Sequence, residues 1–177
     1  MGAFWSRFTA LLRSIFWNKL KDADIAFLRD YLNKQEQILF YSLAARDQRH
    51  SLDVAYTVRD LLGKRTKINP DKLYKAALLH DVGKAPARLR ISDRIVQVLF
   101  FTLLPPLADY LADHGSETTG YWRRILFFYK YHPRLGAALV KGISGNEVLY
   151  LIEHHHDAYW PGEPKELTII READSLN

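Results

Sequence analysis

Imidazoles and carboxylates are the only metal-binding side chains of consequence in this 177-residue sequence, because it contains no cysteine. It has seven histidines: His50, His80, His114, His132 and the run His154, His155 and His156. Asp81 directly follows His80, Pro133 follows His132, Asp157 follows the run, and Asp174 stands near the end of the sequence. Such donors suit a divalent ion, which polarises a carbonyl or phosphoryl oxygen and lowers the pKa of a water. The lack of cysteine also excludes disulfides, thiolate metal sites and a cysteine nucleophile.

The elements that must position these residues read as helices. Phe4, Phe8, Leu11, Leu12, Ile15 and Phe16 recur at helical spacing, and further helices are expected over 24–43 and 44–62. Asn69 before Pro70, with Asp71 next, is a helix-start signal, and Gly83 is expected to end that helix. The spacing predicts more helices over 92–112, 116–128, 132–141, 145–156 and 165–176. No stretch alternates with a hairpin turn. The expectation is an all-α protein, a compact multi-helix bundle with a metal site between helices. It folds as one unit, with N-terminal amphipathic helices (1–43) packed on or beside a main domain (44–177).

On these helices the chemistry falls on apolar faces. His50 shares a stripe with Leu43, Val54 and Leu61, and His80 follows Leu73, Ala76 and Ala77. Asp174 follows Leu167 and Ile170, while His132 is expected to open a helix. At about 100° per residue, His155 and His156 continue the face of Val148, Leu151 and Ile152, whereas His154 follows Glu147 and Tyr150 to the other side. His114, before Gly115, reads as a surface residue. Any one of these alone reads as a core histidine bonded to a carbonyl. Several imidazoles and two carboxylates buried together need compensation, which a divalent ion supplies at one point. Donors limited to N and O favour Fe, Mn, Ni, Co or Zn.

The formal charge of +5 is too mild to argue for a nucleic-acid polymer and suits a small anionic substrate. No signal-peptide pattern appears, and the longest apolar run is broken by Pro105 and Pro106, so a cytoplasmic location is expected. The basic N-terminal helix, with Trp5 and Trp17, leaves peripheral membrane contact open beside packing on the domain or in a homodimer.

The order of motifs resembles the HD superfamily of metal-dependent phosphohydrolases. "RHSLDVAYTV" is similar to its opening helix, "AALLHDVGK" to the HDxGK form of its name-giving motif, and "IIREADSL" to its closing aspartate helix. "EHHHDAYWPGEP" is similar to the segment of the two-metal branch that includes the cyclic-dinucleotide phosphodiesterases. The resemblance runs from about Asp47 to Leu176. It implies His50, His80, Asp81 and Asp174 as ligands of a first ion, Asp81 as a bridge, and His132, His155 and His156 as ligands of a second. It also implies that Lys84 faces the substrate phosphate, so Asp81 and Lys84 are the expected catalytic pair. Three departures stand out. Arg46 occupies the place where some two-metal members carry a glutamate ligand, the GYP triplet is absent, and residues 85–131 form an insertion-like stretch.

The implied activity is hydrolysis of a nucleotide or related phosphate mono- or diester, with water on one or two divalent ions as nucleophile. Arg123, Arg124 and Lys130, interleaved with aromatics in "YWRRILFFYKYHPR", are expected to join Lys84 in holding the substrate. The alternatives are a di-iron oxygenase built on the same ligands and a non-catalytic nucleotide-binding regulatory module.

Overall fold

Helices account for every regular element that the computed structural model describes, over residues 19–63, 68–87 and 90–177, apart from one isolated bridge between Lys141 and Ser144. In chain order they are α1 (Asp22–Tyr31), α2 (Lys34–Ser42), α3 (Ala45–Leu62) and α4 (Pro70–Leu79). A 3₁₀ helix (Val82–Ala87) follows, then α5 (Ile91–Leu103), α6 (Pro105–Asp113), α7 (Tyr121–Val140), α8 (Asn146–His154) and α9 (Lys165–Ser175). The all-α expectation holds. The proposed N-terminal stripe from Phe4 to Phe16 lies outside the described residues.

α4 is the hub. The side chain of Asn69 accepts the amide of Asp71 at 3.0 Å, and Pro70 gives up no hydrogen bond at the first helical position. Leu73, Ala76, Ala77, Leu78 and Leu79 are fully buried, and the two alanines let α3, α8 and α9 approach closely. These contribute Leu52 and Val54, Ile152, and Ile169 and Ile170 to the same core. Each such large side chain is worth about 1.5–3 kcal/mol of transfer free energy before ordering costs are subtracted.

α1 and α2 belong to that core through Leu28 and Phe40, both without exposed surface. Their polar groups are matched as carefully. Asp24 accepts from Arg49 at 2.9 Å, from Tyr56 at 2.7 Å and from the Lys21 amide at 2.8 Å. Burial raises its pKa, but these partners outweigh burial and hold it below the usual carboxylate range. Buried Glu36 receives Lys75 and Ser144 and caps α2 through the Asn33 amide.

Helix boundaries differ from expectation at four places. The helix expected over 24–43 is two, because Asn33 and Glu36 form a reciprocal capping box that starts α2 afresh. The helix over 92–112 is also two, bent by 117° at Leu104, since Pro105 disfavours the helical region for the residue before it. Conversely, α7 is a single 20-residue helix with Pro133 inside it, so His132 lies within a helix and does not open one. Gly83 does not end α4, which stops at Leu79; it sits inside the 3₁₀ helix.

Gly83 sets the closest approach among the described glycines. A Cβ there would stand 2.1 Å from the His132 carbonyl oxygen and 2.7 Å from the Gly136 amide nitrogen. Only hydrogen at this position lets the 3₁₀ helix lie on α7, and that contact brings the segment after His80 and Asp81 against His132.

Candidate metal centre

Seven candidate ligands come from six places in the fold: His50 on α3, His80 at the end of α4, Asp81 in the turn after it, His132 on α7, His155 and His156 at the end of α8, and Asp174 on α9. The structure brings them together. Asp174 Oδ1 lies 3.0 Å from His50 Nε2 and 3.6 Å from His80 Nε2. Asp81 Oδ1 lies 3.6 Å from His80 Nε2 and 3.3 Å from His132 Nε2, while Oδ2 is 4.0 Å from His50 Nε2. Donor atoms of His50, His80 and Asp81 fall within 4.8 Å of one another, as do those of His132, His155 and His156. Asp81 stands between the two groups, and the His80 and His155 rings meet edge to face at 5.1 Å.

Each deep imidazole is oriented by a backbone carbonyl three residues earlier. Nδ1 donates to Ala77 O from His80 at 2.8 Å, to Tyr129 O from His132 at 2.7 Å and to Ile152 O from His155 at 2.7 Å. Those bonds place the proton on Nδ1 and turn the Nε2 lone pair inward. The inward Nε2 atoms of His80, His132 and His155 are buried without a hydrogen-bond partner. Burying such acceptors unpaired costs about 1–3 kcal/mol each. A divalent ion relieves that cost, and ligand bonds of about 2.0–2.2 Å put neighbouring donor atoms roughly 3–3.5 Å apart. Of the observed separations, 3.0 and 3.3 Å fall in that range and the other three, 3.6–4.0 Å, lie just above it, so the residues present suit a divalent ion.

The electrostatics agree for His132 and His155, and leave metal-free His80 protonated at pH 7. Burial, then the nearby Lys84 charge, pushes His132 down to about 4, and burial followed by the neighbouring imidazoles holds His155 well below its usual value. Both are neutral at pH 7. Burial also pulls His80 down, but Asp81 and Asp174 overcome it and lift His80 to about 9. Burial opposes the ionised forms of Asp81 and Asp174. Lys84, His80 and His132 nonetheless keep Asp81 far below the carboxylate range, and His50 and His80 do the same for Asp174.

The site has a floor and a rim. His80, Asp81, His132 and His155 are 1–2% exposed and form the floor. His50, Asp174 and Lys84 keep side-chain exposures of 26%, 19% and 15%, and these together with exposed His156 mark the open side. Lys84 Nζ is 2.7 Å from Asp81 Oδ1 and 2.8 Å from Oδ2, with hydrogen-bond alignment to Oδ2.

The remaining expected residues fall elsewhere. His154 turns away and bonds Asp157 at 2.6 Å beside the Tyr150 ring, while His114 is exposed and bonds Tyr110 O. The basic stretch before His132 makes its contacts outside the cluster. Lys130 is tied to Asp109 at 2.8 Å and Asp113 at 2.7 Å, and two positions of about 100° each turn it away from His132. Arg124 caps the end of the 3₁₀ helix through Ala87 O at 2.7 Å. Arg123, nine positions before His132, is exposed on the opposite side of α7. Of the four residues expected to hold substrate, Lys84 is the one that contacts Asp81.

What sequence reasoning missed is the set of three carbonyl anchors. A signal for one was present: a proline after His132 within a helical pattern frees the carbonyl four residues before it.

A family model described as HD domain matches residues 48–177. Comparison with curated proteins and comparison with solved structures each find no match.

Proposed function

The chain belongs to the HD domain family, a superfamily of metal-dependent phosphohydrolases, and on that footing we propose that it hydrolyses a small phosphate mono- or diester, a nucleotide or close relative. The observation that carries this reading is the ring of buried, unpaired Nε2 atoms around Asp81.

His50, His80, Asp81 and Asp174 would hold one divalent ion, and His132, His155 and His156 a second beside it, with Asp81 between them. Bound there, the metal supplies Lewis-acid polarisation of a phosphoryl oxygen and an activated water. The chain's own residues do the rest. The carbonyl anchors fix the imidazoles before substrate arrives, so no reorganisation is needed as charge develops. Lys84 sits on the rim side of Asp81 and offers an ammonium to the phosphate. The buried floor excludes water behind the reacting group and leaves the His50–Asp174–His156 rim as the approach.

The test is metal analysis of protein purified without chelator, followed by a panel of nucleotides and phosphoesters. His80→Ala and Asp81→Ala should each abolish turnover while helical circular dichroism persists. Wild-type turnover by either variant at saturating metal would overturn the reading. Iron-loaded protein that consumes oxygen and hydrolyses none of the panel would favour the di-iron oxygenase.

A further inference from the structure

The outer face of α5 reverses the usual pattern of a surface helix. Its core-facing positions include Asp93 and Gln97, 4% and 1% exposed, whereas Ile95, Val98, Leu99 and Leu103 recur at helical spacing on the solvent side. The apolar surface continues round the bend through Leu104 and Leu107 to Tyr110, and reaches Tyr121 and Trp122 at the start of α7. These nine side chains are 45–68% exposed and make up nine of the fourteen large exposed hydrophobics among the described residues. A groove of about 550 Å³ opens at one end of the patch, lined by Phe100, Leu107, Leu111, Tyr121, Trp122 and Arg123. A patch of this extent marks an interaction surface.

The charges around the patch indicate what covers it. Its nearest carboxylates are bonded within the fold. Asp93 is buried, accepting from Tyr121 and the Arg90 amide, and Asp109 and Asp113 share Lys130. Arg90 and Arg123 at the margin are exposed and form no ion pair among the described residues. The surface is thus apolar at its centre, aromatic toward one side and cationic at its edge, a combination that suits the headgroup boundary of an anionic bilayer. No single helix among the described residues is long and apolar enough to cross a membrane; the bent pair Ile95–Leu103 and Pro105–Asp113 has the composition but turns through 117°. At about 1.5 Å per residue α6 is near 14 Å long, which suits lying in the interface and not spanning it.

We propose that the α5–α6 hairpin and the first turn of α7 form a docking surface for anionic lipid membranes. This surface is separate from the metal centre, and its test does not depend on hydrolysis. α7 connects the two: Trp122 and His132 are ten residues apart, about 15 Å along the helix.

The experiment is flotation of the full-length protein with phosphatidylcholine vesicles, with and without about a third phosphatidylglycerol. Wild-type protein should float with the anionic vesicles. The double variant Val98→Asp/Leu103→Asp should bind them at least about tenfold more weakly. Arg123→Glu should lose about fivefold on anionic vesicles only. All three sites are exposed, and circular dichroism confirms that the variants fold. Three outcomes would each overturn the proposal. Wild-type protein could fail to float with any vesicle. The double variant could float as wild type does, placing any membrane contact elsewhere, such as in residues 1–18. Light scattering could show a wild-type dimer that the double variant converts to monomer, making the face a contact between copies of this chain.

Discussion

Pro133 frees the carbonyl that holds His132. In an unbroken helix the amide at position 133 would bond the carbonyl of Tyr129, but proline has no N–H to give. The imidazole of His132 takes that carbonyl instead, at 2.7 Å, and its Nε2 is thereby aimed at Asp81. His80 and His155 obtain their anchors more simply, since Ala77 and Ile152 lie in the last turns of α4 and α8, where carbonyls lack helical partners.

Pro133→Ala should therefore separate stability from metal affinity. The restored amide competes for Tyr129 O and releases the ring, while the helix regains a hydrogen bond worth about 0.5–1.5 kcal/mol. The expected result is a Tm that holds or rises, with metal affinity about 10–100-fold weaker by titration calorimetry. Equal loss of both would mean the proline matters only for packing.

The metal-free protein should be most stable near pH 6.5. Below that value unfolded His132 and His155 bind protons that the folded forms refuse, His132 down to about 4, so stability falls with acid. Asp81 and Asp174 act the same way at lower pH: held below their usual range, they lose their contribution as pH drops through the carboxylate region. His80 has the opposite sign. Lifted to about 9, it stabilises fully below about 6.5 and that contribution disappears as pH rises toward 9. Thermal melts in chelator across this range should trace a maximum. Added divalent ion should abolish the alkaline decline, because it takes the place of the His80 proton. A flat alkaline limb in chelator would contradict the assignment.

Gly83→Ala tests the contact between the 3₁₀ helix and α7. Its Cβ would overlap the His132 carbonyl, which is backbone and cannot swing aside. A loss at or above the usual overpacking cost of about 1–3 kcal/mol is expected. Ala85→Gly, two residues on, should cost about 1 kcal/mol or less. Urea melts compare the two, and equal midpoints would remove Gly83 from this role.

The three consecutive histidines should behave differently. His155→Ala and His156→Ala should each lower metal stoichiometry or turnover sharply, and His154→Ala should change either by less than about twofold, since its ring bonds Asp157 outside the cluster. Inductively coupled plasma mass spectrometry of the three variants decides it. Loss of metal in His154→Ala alone would place the second ion on the other side of α8.

Helical phase carried most of the information about the site. Val148, Leu151 and Ile152 indicated that His155 and His156 turn inward, and the structure places them beside His132. The same phase sets Arg123 and Lys130 opposite His132 on α7, whereas they drew notice through composition, which carries no direction. Boundaries were harder to read. Proline after His132 suggested a helix start, yet packing of α7 against the 3₁₀ helix and α8 carries the helix through it. The Asn33–Glu36 capping box was visible in the sequence but lay within an apolar period that runs across it. The hairpin bend at Leu104 followed from two prolines that had been read only as interrupting an apolar run.

His50 and Asp174, which meet at 3.0 Å, are separated by 124 positions. At about 5–20 residues per second, a ribosome needs roughly 6–25 s to make that interval. During this time a nascent chain carries His50 without the carboxylate that completes its pairing. An ion captured early would rest on a partial ligand set and exchange freely with the surroundings. Whichever ion the site would hold is therefore selected only once α9 docks, and not by the ions met before it.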